Sequence, residues 1–351
     1  MEFGQPSTGA PRAAIARAHE VLDTDPMGYW ESPALKARIA RHYLDQYGVR
    51  IEPAQVLLTC GASPAMVLAL ASTFSPGDRV ALARPGYVAY RNTLRALNVE
   101  PVELASGPAE RFQLTARQIT DLDPAPQGVI VASPANPTGT IIGRDELRAL
   151  VEVCQARGIT LVSDEIYHGL SYGEAAHSVL EFSPDALVVN SFSKYFSMVG
   201  WRLGWLVVPA DHVARARAFM GNLFLTPPSL SQHAALLAMD ATDELDGHVE
   251  VYRANRALLL EALPRLGLAE IAPPDGAFYI YADVGHLTDD SLAFCEQLLR
   301  DTGVATAPGI DFDPVDGRRF IRISFAVSTD QVREAIERLV PWFAAQKRLS
   351  Q

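Results

Sequence analysis

The chain has few cysteines, no long apolar run and no excess of positive charge, and each shortage excludes a class of protein. Three cysteines in 351 residues, Cys60, Cys154 and Cys295, are too few and too widely spaced for a disulfide framework, and they favour a reducing cytoplasm. No C-x-x-C or H-E-x-x-H pair occurs, so no metal site is predicted. The apolar runs are shorter than the roughly 18 residues that a membrane helix needs, so no membrane span is predicted.

The charge balance is acidic, with a formal net charge of −11. A diffuse acidic surface disfavours nucleic acid and anionic membranes as partners. The first residues, 1–6, carry neither a basic region nor an apolar core, so no secretory signal is expected. With 48% hydrophobic and 20% charged residues, the chain has the composition of a folded globular protein. Its length suggests one large domain and a smaller one.

Short apolar segments alternate with helical patterns through the first two thirds of the chain. The predicted strands are residues 56–59, 79–83, 99–104, 128–133, 160–164, 186–191 and 204–208. A helix is predicted before them, from Pro33 to Tyr47, where Gly48 ends the pattern, and further helices are predicted between several of them, for instance up to Phe74 after the first strand. Seven strands joined by helical crossovers predict an α/β fold with an open, mostly parallel sheet flanked by helices.

The pattern changes near Tyr252. A helix, an aromatic strand over 277–284, a helix over 291–302, a strand over 320–326 and a final helix over 329–345 follow in turn. This order predicts a smaller α+β domain. The predicted division is a large domain over 26–250 and a small domain formed by 1–25 and 251–351.

Lys194 stands just after the apolar run 186–189, which reads as a buried strand. A buried lysine loses proton affinity and becomes a usable amine nucleophile. Ser191, Ser193 and Arg202 lie close by in sequence, and hydroxyls with an arginine make an anion site. An amine beside a phosphate site suggests a Schiff base with a phosphorylated aldehyde cofactor. The S-x-x-K spacing also occurs in serine acyl-transferases, but the K-T-G that this class needs is missing.

Other polar groups follow the ends of the neighbouring strands, where ligands bind in open α/β sheets. Backbone N–H groups at a helix N-terminus favour a phosphate, and such a site is predicted at Gly61, Ala62 and Ser63. The remaining groups are Tyr87, Asn136, Asp164 and Tyr167.

A pyridine cofactor would give each of these groups a task. Asp164 against the ring nitrogen would raise the pKa of that nitrogen and keep it protonated, although Asp164 could also be a helix N-cap. Tyr87 could cover the ring face. Asn136 and Tyr167 could bind the ring's 3-oxygen and so lower the pKa of the Schiff base.

These motifs together resemble the pyridoxal-phosphate aminotransferases of class I/II, in the fold type I superfamily of aspartate aminotransferase. The carrying segments are 85–90 (PGYVAY), 136–139 (NPTG), 164–167 (DEIY), 191–194 (SFSK) with Arg202, and 308–309 (PG) followed by 322–324 (RIS). Their order and spacing match the family over nearly the whole chain.

The resemblance implies a role for each candidate residue. Lys194 would form the Schiff base with pyridoxal 5'-phosphate and later move the Cα proton, with Asp164 and Tyr167 assisting. The phosphate would be held by Ser63, Ser191 and Arg202, together with Gly61, Ala62 and Ser193, and by Tyr29 of a partner subunit in a homodimer. Arg322 would bind the carboxylate of an amino acid or 2-oxo acid, with Asn136 and Gly4 beside it.

Two other hypotheses about function are compatible with these motifs. A pyridoxal-phosphate lyase or cyclase of secondary metabolism would need the same motifs, because the ring stabilises any Cα carbanion. A non-catalytic regulator on this fold is the third hypothesis, but no DNA-binding segment is appended and the lysine is intact.

Overall fold

A seven-stranded sheet lies at the centre of the larger part of the computed structural model, which describes residues 1–346. Its strands follow the spatial order β1-β7-β6-β5-β4-β2-β3. Their bounds are β1 (Val56–Thr59), β2 (Arg79–Arg84), β3 (Glu100–Ala105), β4 (Gly128–Ala132), β5 (Thr160–Asp164), β6 (Leu187–Ser191) and β7 (Gly204–Val207).

Strand direction is mixed but mostly parallel. The pairs β2–β3, β2–β4, β4–β5 and β5–β6 are parallel, whereas β7 is antiparallel to both β6 and β1. The segment from Phe192 to Leu203 contains no α-helical crossover, so the chain turns back and β7 runs against β6. The predicted α/β class and the mostly parallel seven-stranded sheet are confirmed.

Eleven α-helices surround the two sheets within residues 1–346. They are α1 (Arg12–Thr24), α2 (Pro33–Tyr47), α3 (Ala62–Thr73), α4 (Val88–Ala96), α5 (Ala116–Thr120), α6 (Arg144–Ala156), α7 (Val213–Leu223), α8 (Ser229–Ala238), α9 (Thr242–Leu266), α10 (Ser291–Thr302) and α11 (Thr329–Ala345). No helix in this part of the chain combines the length and apolar character required to cross a bilayer.

Apart from the edge strand β3, the sheet is buried on both faces, because alternate side chains of a strand enter different cores. On β6, Val188 packs into one cluster, while Leu187 and Val189 pack into another on the opposite face. On β1, Leu58 and Leu57 divide in the same way. This double burial explains why the strands are continuous apolar runs in the sequence.

Local signals set several helix bounds where the sequence predicted them. The Ser32 hydroxyl accepts a hydrogen bond from the Leu35 N–H at the start of α2, and Gly48 ends the helix with φ of +67°. Asp290 caps α10 in the same manner, and Gly303 ends it with φ of +72°.

Four helices differ from the prediction. Helices α5, α7 and α8 were not predicted, and α9 begins ten residues before Tyr252, at Thr242. Helix α8 buries small side chains against α1, so its inner face lacks a large apolar stripe. The buried residues of α9 recur every three or four positions, but only Leu245 and Val249 lie before Tyr252, and they belong to different cores.

The second core belongs to a three-stranded antiparallel sheet. The order is β8-β10-β9, with β8 (Tyr279–Asp283), β9 (Ala307–Pro308) and β10 (Phe320–Ser324). Helices α9, α10 and α11 supply the other apolar side chains of this core. The larger and smaller cores correspond to the α/β and α+β parts expected from the sequence.

The N-terminal residues are shared between the two parts. The Ser7 N–H donates to the Ala326 carbonyl next to the small sheet, whereas Ala14 and Ala18 of α1 are buried in the core of the larger part. The packing of α1 against α8 thus differs from the predicted division, which assigned residues 1–25 to the small domain. The small alanine side chains of α1 allow this close approach to α8.

Candidate active site

The strand order brings the predicted groups to one edge of the large sheet. Because β7 is antiparallel to both neighbours, β1 and β6 point the same way, and Gly204 at the start of β7 pairs with both Thr59 and Ser191. The carboxyl ends of β1, β6, β5, β4 and β2 therefore share this edge with Arg202, which precedes β7.

A cavity of about 270 Å³ opens at this edge, close to the lower end of the ~300–1,000 Å³ range of small-molecule sites. Predicted site residues that line it are Gly4, Ala62, Ser63, Tyr87, Asn136, Asp164, Tyr167, Ser193, Lys194 and Arg202. Residues from eight separate segments, including the N-terminus, therefore surround one space.

Lys194 is the amine of the cavity. Its Nζ donates a hydrogen bond to the Gly4 carbonyl and lies 5.7 Å from the centre of the Tyr167 ring. Burial lowers the pKa of Lys194 to about 8, and the positive charges of Arg322 and Arg202 act in the same direction. A sizeable fraction of this amine is therefore neutral and nucleophilic near neutral pH.

Asp164 is a buried carboxylate with two hydrogen-bond donors. Oδ2 accepts from the Tyr90 hydroxyl at 2.6 Å, and Oδ1 accepts from the Ile166 N–H at 3.1 Å. Burial raises the pKa of Asp164, while these two hydrogen bonds and Lys194 oppose the rise. Residues 166–169 form turns rather than a helix, so the helix N-cap alternative for Asp164 is wrong.

Tyr90 and Tyr279 are site residues that the sequence reasoning missed. Tyr90 lies one helical turn after Tyr87 within the PGYVAY segment, which was its only signal. The Tyr279 hydroxyl lies 2.7 Å from the Tyr167 hydroxyl, although β8 was predicted only as an aromatic strand. Both phenols line the cavity.

Arg322 on β10 lies behind the cavity lining, in contact with Asn136 and Tyr279. Its Nη1 donates to Asn136 Oδ1 at 2.7 Å, and its Nη2 donates to the Glu2 carbonyl at 2.5 Å. The guanidinium carbon lies 4.5 Å from the Tyr279 ring centre and 4.7 Å from that of Phe312. Two aromatic faces thus hold the guanidinium, and its Nε has no hydrogen-bond partner within residues 1–346.

Residues predicted to bind an anion lie together at the end of the cavity near α3. Gly61 has φ of +107°, and a Cβ built on it would lie 2.6 Å from Arg202 Nη2, so the main chain and the guanidinium are in close contact. Ser63 lies in the first turn of α3, where free N–H groups point outward. Ser193 completes this end of the cavity.

Ser191 lies behind Ser193. Its hydroxyl is within 2.9 Å of the Leu203 carbonyl, to which it donates, and 2.8 Å from the Ser193 hydroxyl. In this arrangement Ser191 orients Ser193, and Ser193 borders the cavity. Tyr29 is elsewhere on the surface, with 86% of the residue exposed.

Comparison with known proteins identifies the family. The family described as "Aminotransferase class I and II" matches residues 4–339. The chain belongs to this family. It is 49% identical to the valine–pyruvate aminotransferase of Mycobacterium tuberculosis, over 99% of this chain and 91% of that protein. It is 31% identical to an aspartate aminotransferase of Geobacillus stearothermophilus, over 96% of this chain and 88% of that protein.

A solved structure agrees with these sequence relatives. The crystal structure of an aminotransferase from Mycobacterium tuberculosis superposes with a TM-score of 0.96 at 48% identity, covering 98% of this chain and 91% of that one. The chain is therefore an aminotransferase, which confirms the resemblance, the fold and the enzyme class predicted from the sequence. The lyase or cyclase alternative is not favoured, because these relatives are named aminotransferases.

Proposed function

We propose that this aminotransferase uses pyridoxal 5'-phosphate in the cavity at the carboxyl edge of the large sheet. The family implies this cofactor, and the cavity combines an amine of lowered pKa, a buried carboxylate and an anion site. When bound, the cofactor supplies an aldehyde that bonds to amines and a ring that withdraws electrons from the carbon carrying the amino group. The residues around the cavity could bind both the phosphate and the ring of such a molecule.

The proposed phosphate-binding groups surround the anion site. Arg202 would supply a two-pronged cation, and the N-terminus of α3 would supply main-chain N–H groups. The full proposed set is Gly61, Ala62, Ser63, Ser191, Ser193 and Arg202. The close contact between Gly61 and Arg202 supports this set, because a larger residue at position 61 would push the guanidinium away.

The proposed ring-binding groups act through charge and hydrogen bonding. Asp164 would keep the ring nitrogen positive, since an opposite charge nearby favours the protonated form. Asn136 and Tyr167 would hold the ring's oxygen substituent, and Tyr87 would cover one ring face. Each of these side chains borders the cavity, which supports the assignment.

Lys194 is proposed as the residue that moves protons during the reaction. Its lowered pKa allows the amine to accept a proton near neutral pH and return it, which is what a general base with a pKa near the working pH does best. The Gly4 carbonyl accepts a hydrogen bond from Nζ and so orients the amine.

Arg322 is the observation that carries the substrate proposal. Its guanidinium contacts two aromatic rings beside Asn136, an arrangement suited to two-point binding of a carboxylate. Arg322 would give up its hydrogen bond to the Glu2 carbonyl and donate to a carboxylate oxygen of the substrate instead. Within residues 1–346, the cavity lining itself carries no cation beyond Lys194 and Arg202. We therefore propose neutral amino acids with one carboxylate as donors and, after the valine–pyruvate relative, pyruvate as acceptor.

Half-reactions in the absence of a keto acid test this proposal. Valine, alanine and aspartate are added separately to the cofactor-loaded protein, and the cofactor's visible absorption is followed. Valine or alanine should convert one equivalent and stop, and pyruvate should restore the band. Sustained turnover without a keto acid, or a preference for aspartate, would contradict the proposal.

Borohydride reduction identifies the amine. The reduced adduct should map to Lys194 and leave Lys36 unlabelled, and Lys194→Ala should lack both the adduct and turnover. An adduct on Lys36, or turnover in Lys194→Ala, would refute the assignment.

A homodimer and a cytoplasmic location are also proposed. The exposed ring of Tyr29 suits a residue that a second subunit covers near its phosphate site, as the family implies. Sedimentation that finds an active monomer would refute the dimer. Three cysteines that are all thiols suit a reducing compartment, and cell fractionation tests that location.

A further inference from the structure

Tyr279 contacts three parts of the site at once. Its hydroxyl lies 2.7 Å from the Tyr167 hydroxyl, and its ring centre lies 4.5 Å from the Arg322 guanidinium carbon. A Cβ on Gly4 would lie 1.9 Å from the same hydroxyl, so the main chain passes directly over it. None of the five family motifs includes Tyr279, and the ring is fully buried.

The two hydroxyls share one hydrogen bond, in which either oxygen could be the donor. The main chain at Gly4 lies against the Tyr279 hydroxyl, which favours the arrangement in which Tyr279 donates to the Tyr167 oxygen. When Tyr279 donates, the Tyr167 proton remains available to the cavity. Burial raises the pKa of both phenols, so each keeps its proton at neutral pH.

The Tyr279 ring has a separate contact with Arg322. The Phe312 ring also contacts this guanidinium, with its centre 4.7 Å from the guanidinium carbon. Phe312 has no contact of this kind with Tyr167, which packs edge-on against Tyr279 and Phe278. The Tyr279 ring therefore contacts both Arg322 and Tyr167, whereas the Phe312 ring contacts Arg322 alone.

We propose that Tyr279 is a positioning residue with two separable roles, in which its hydroxyl directs the Tyr167 proton into the cavity and its ring holds Arg322 for the substrate carboxylate. The proposal rests on the function proposed above, in which Tyr167 faces the cofactor and Arg322 faces the substrate. A hydrogen bond received by Tyr167 also strengthens the one that Tyr167 gives, because chains of hydrogen bonds polarise one another.

Tyr279→Phe tests the hydroxyl without removing the ring. The cofactor-loaded protein is titrated with pH in the absence of substrate, and the midpoint of the change in its visible absorption is recorded. A hydrogen bond from Tyr167 to the ring's 3-oxygen would favour the unprotonated form and lower the pKa of the Schiff base. A weaker Tyr167 donor should therefore raise the midpoint by about half a pH unit to one pH unit. The Kd of isobutyrate, an unreactive monocarboxylate, should stay within about twofold.

Phe312→Leu is the matched control for the ring. It should leave the absorption midpoint unchanged and raise the Kd of isobutyrate by about five- to tenfold, because one aromatic face of Arg322 is lost. Tyr279→Leu should show both changes, and it tests the ring independently if Phe312→Leu does not fold.

The outcomes separate this proposal from the function on which it rests. A wild-type protein that forms no visible band with pyridoxal phosphate would refute the function. A normal wild-type band with an unshifted midpoint in Tyr279→Phe would overturn the hydroxyl role alone. An unchanged isobutyrate Kd in Tyr279→Leu would overturn the ring role alone.

Discussion

Replacing Tyr90 with phenylalanine removes one of the two hydrogen bonds that stabilise the buried Asp164 carboxylate. The Tyr90 hydroxyl donates to Oδ2 at 2.6 Å, and the Ile166 N–H donates to Oδ1 at 3.1 Å. Asp164 is only 6% exposed, so water cannot readily replace the lost donor. A hydrogen bond to a charged group contributes about 1.5–3 kcal/mol to stability.

We therefore expect Tyr90→Phe to lower the free energy of unfolding of the cofactor-free protein by about 1.5–3 kcal/mol at pH 8. Burial already raises the pKa of Asp164, and losing Tyr90 raises it further. A group whose pKa is raised in the folded state destabilises the fold as pH increases. The loss should therefore be smaller at a low pH, at which Asp164 is protonated in the folded protein, than at pH 8.

Urea unfolding at the two pH values measures this loss, with Tyr87→Phe as the matched control. Tyr87 also borders the cavity, but its hydroxyl makes no hydrogen bond among residues 1–346. Equal stabilities of the two variants at pH 8 would refute the reasoning. A loss in Tyr90→Phe that is the same at both pH values would show that the charged form of Asp164 is not what Tyr90 stabilises.

Three further predictions concern other parts of the site. The rate at which the cofactor-free protein captures pyridoxal phosphate should rise about tenfold per pH unit and level off near pH 8, because the pKa of Lys194 is lowered to about 8. A capture rate, measured by stopped-flow absorbance, that keeps rising to pH 10 would contradict this. Gly61→Ala should raise the cofactor Kd at least about tenfold in an equilibrium titration, because the new Cβ would lie 2.6 Å from Arg202 and the φ of residue 61 is +107°. Gly143→Ala is the control and should leave the Kd unchanged, because a Cβ there meets nothing within 4 Å. Burial raises the pKa of Glu165 to about 8, so the folded protein holds a proton that the unfolded chain loses, and the free energy of unfolding of the wild type falls between pH 6 and 8. Glu165→Gln should reduce that fall by about 2 kcal/mol in urea unfolding. An unchanged dependence of the free energy of unfolding on pH would refute this prediction.

Much of the fold was predictable because the chain repeats one local rule. The inner strands of the large sheet are short apolar runs bounded by turn residues, since both faces of the sheet are buried there. Capping residues such as Ser32 and Asp290 set helix starts through contacts within three residues. Helix α8 buries alanine, serine and glutamine side chains, and the first turns of α9 bury only Leu245 and Val249, so neither stretch has a strong apolar pattern and both were missed.

Part of the candidate site could likewise be predicted from local sequence signals. Lys194, Asp164 and Asn136 were found from the sequence, because each stands at a strand end and open α/β sheets bind ligands there. Their roles in binding a cofactor remain proposals. The sequence also carried the family motifs that the comparisons bear out over residues 4–339.

Only the tertiary structure decided which side chains meet one another. The reversal of β7 brings Arg202 to the edge where Gly61 lies, and no local pattern predicts a strand's direction in the sheet. Tyr279 of the small sheet meets Tyr167 of the turn after β5, and the N-terminal segment passes close to the Tyr279 hydroxyl at Gly4. Contacts between distant segments depend on how whole elements pack, which local sequence periodicity does not contain.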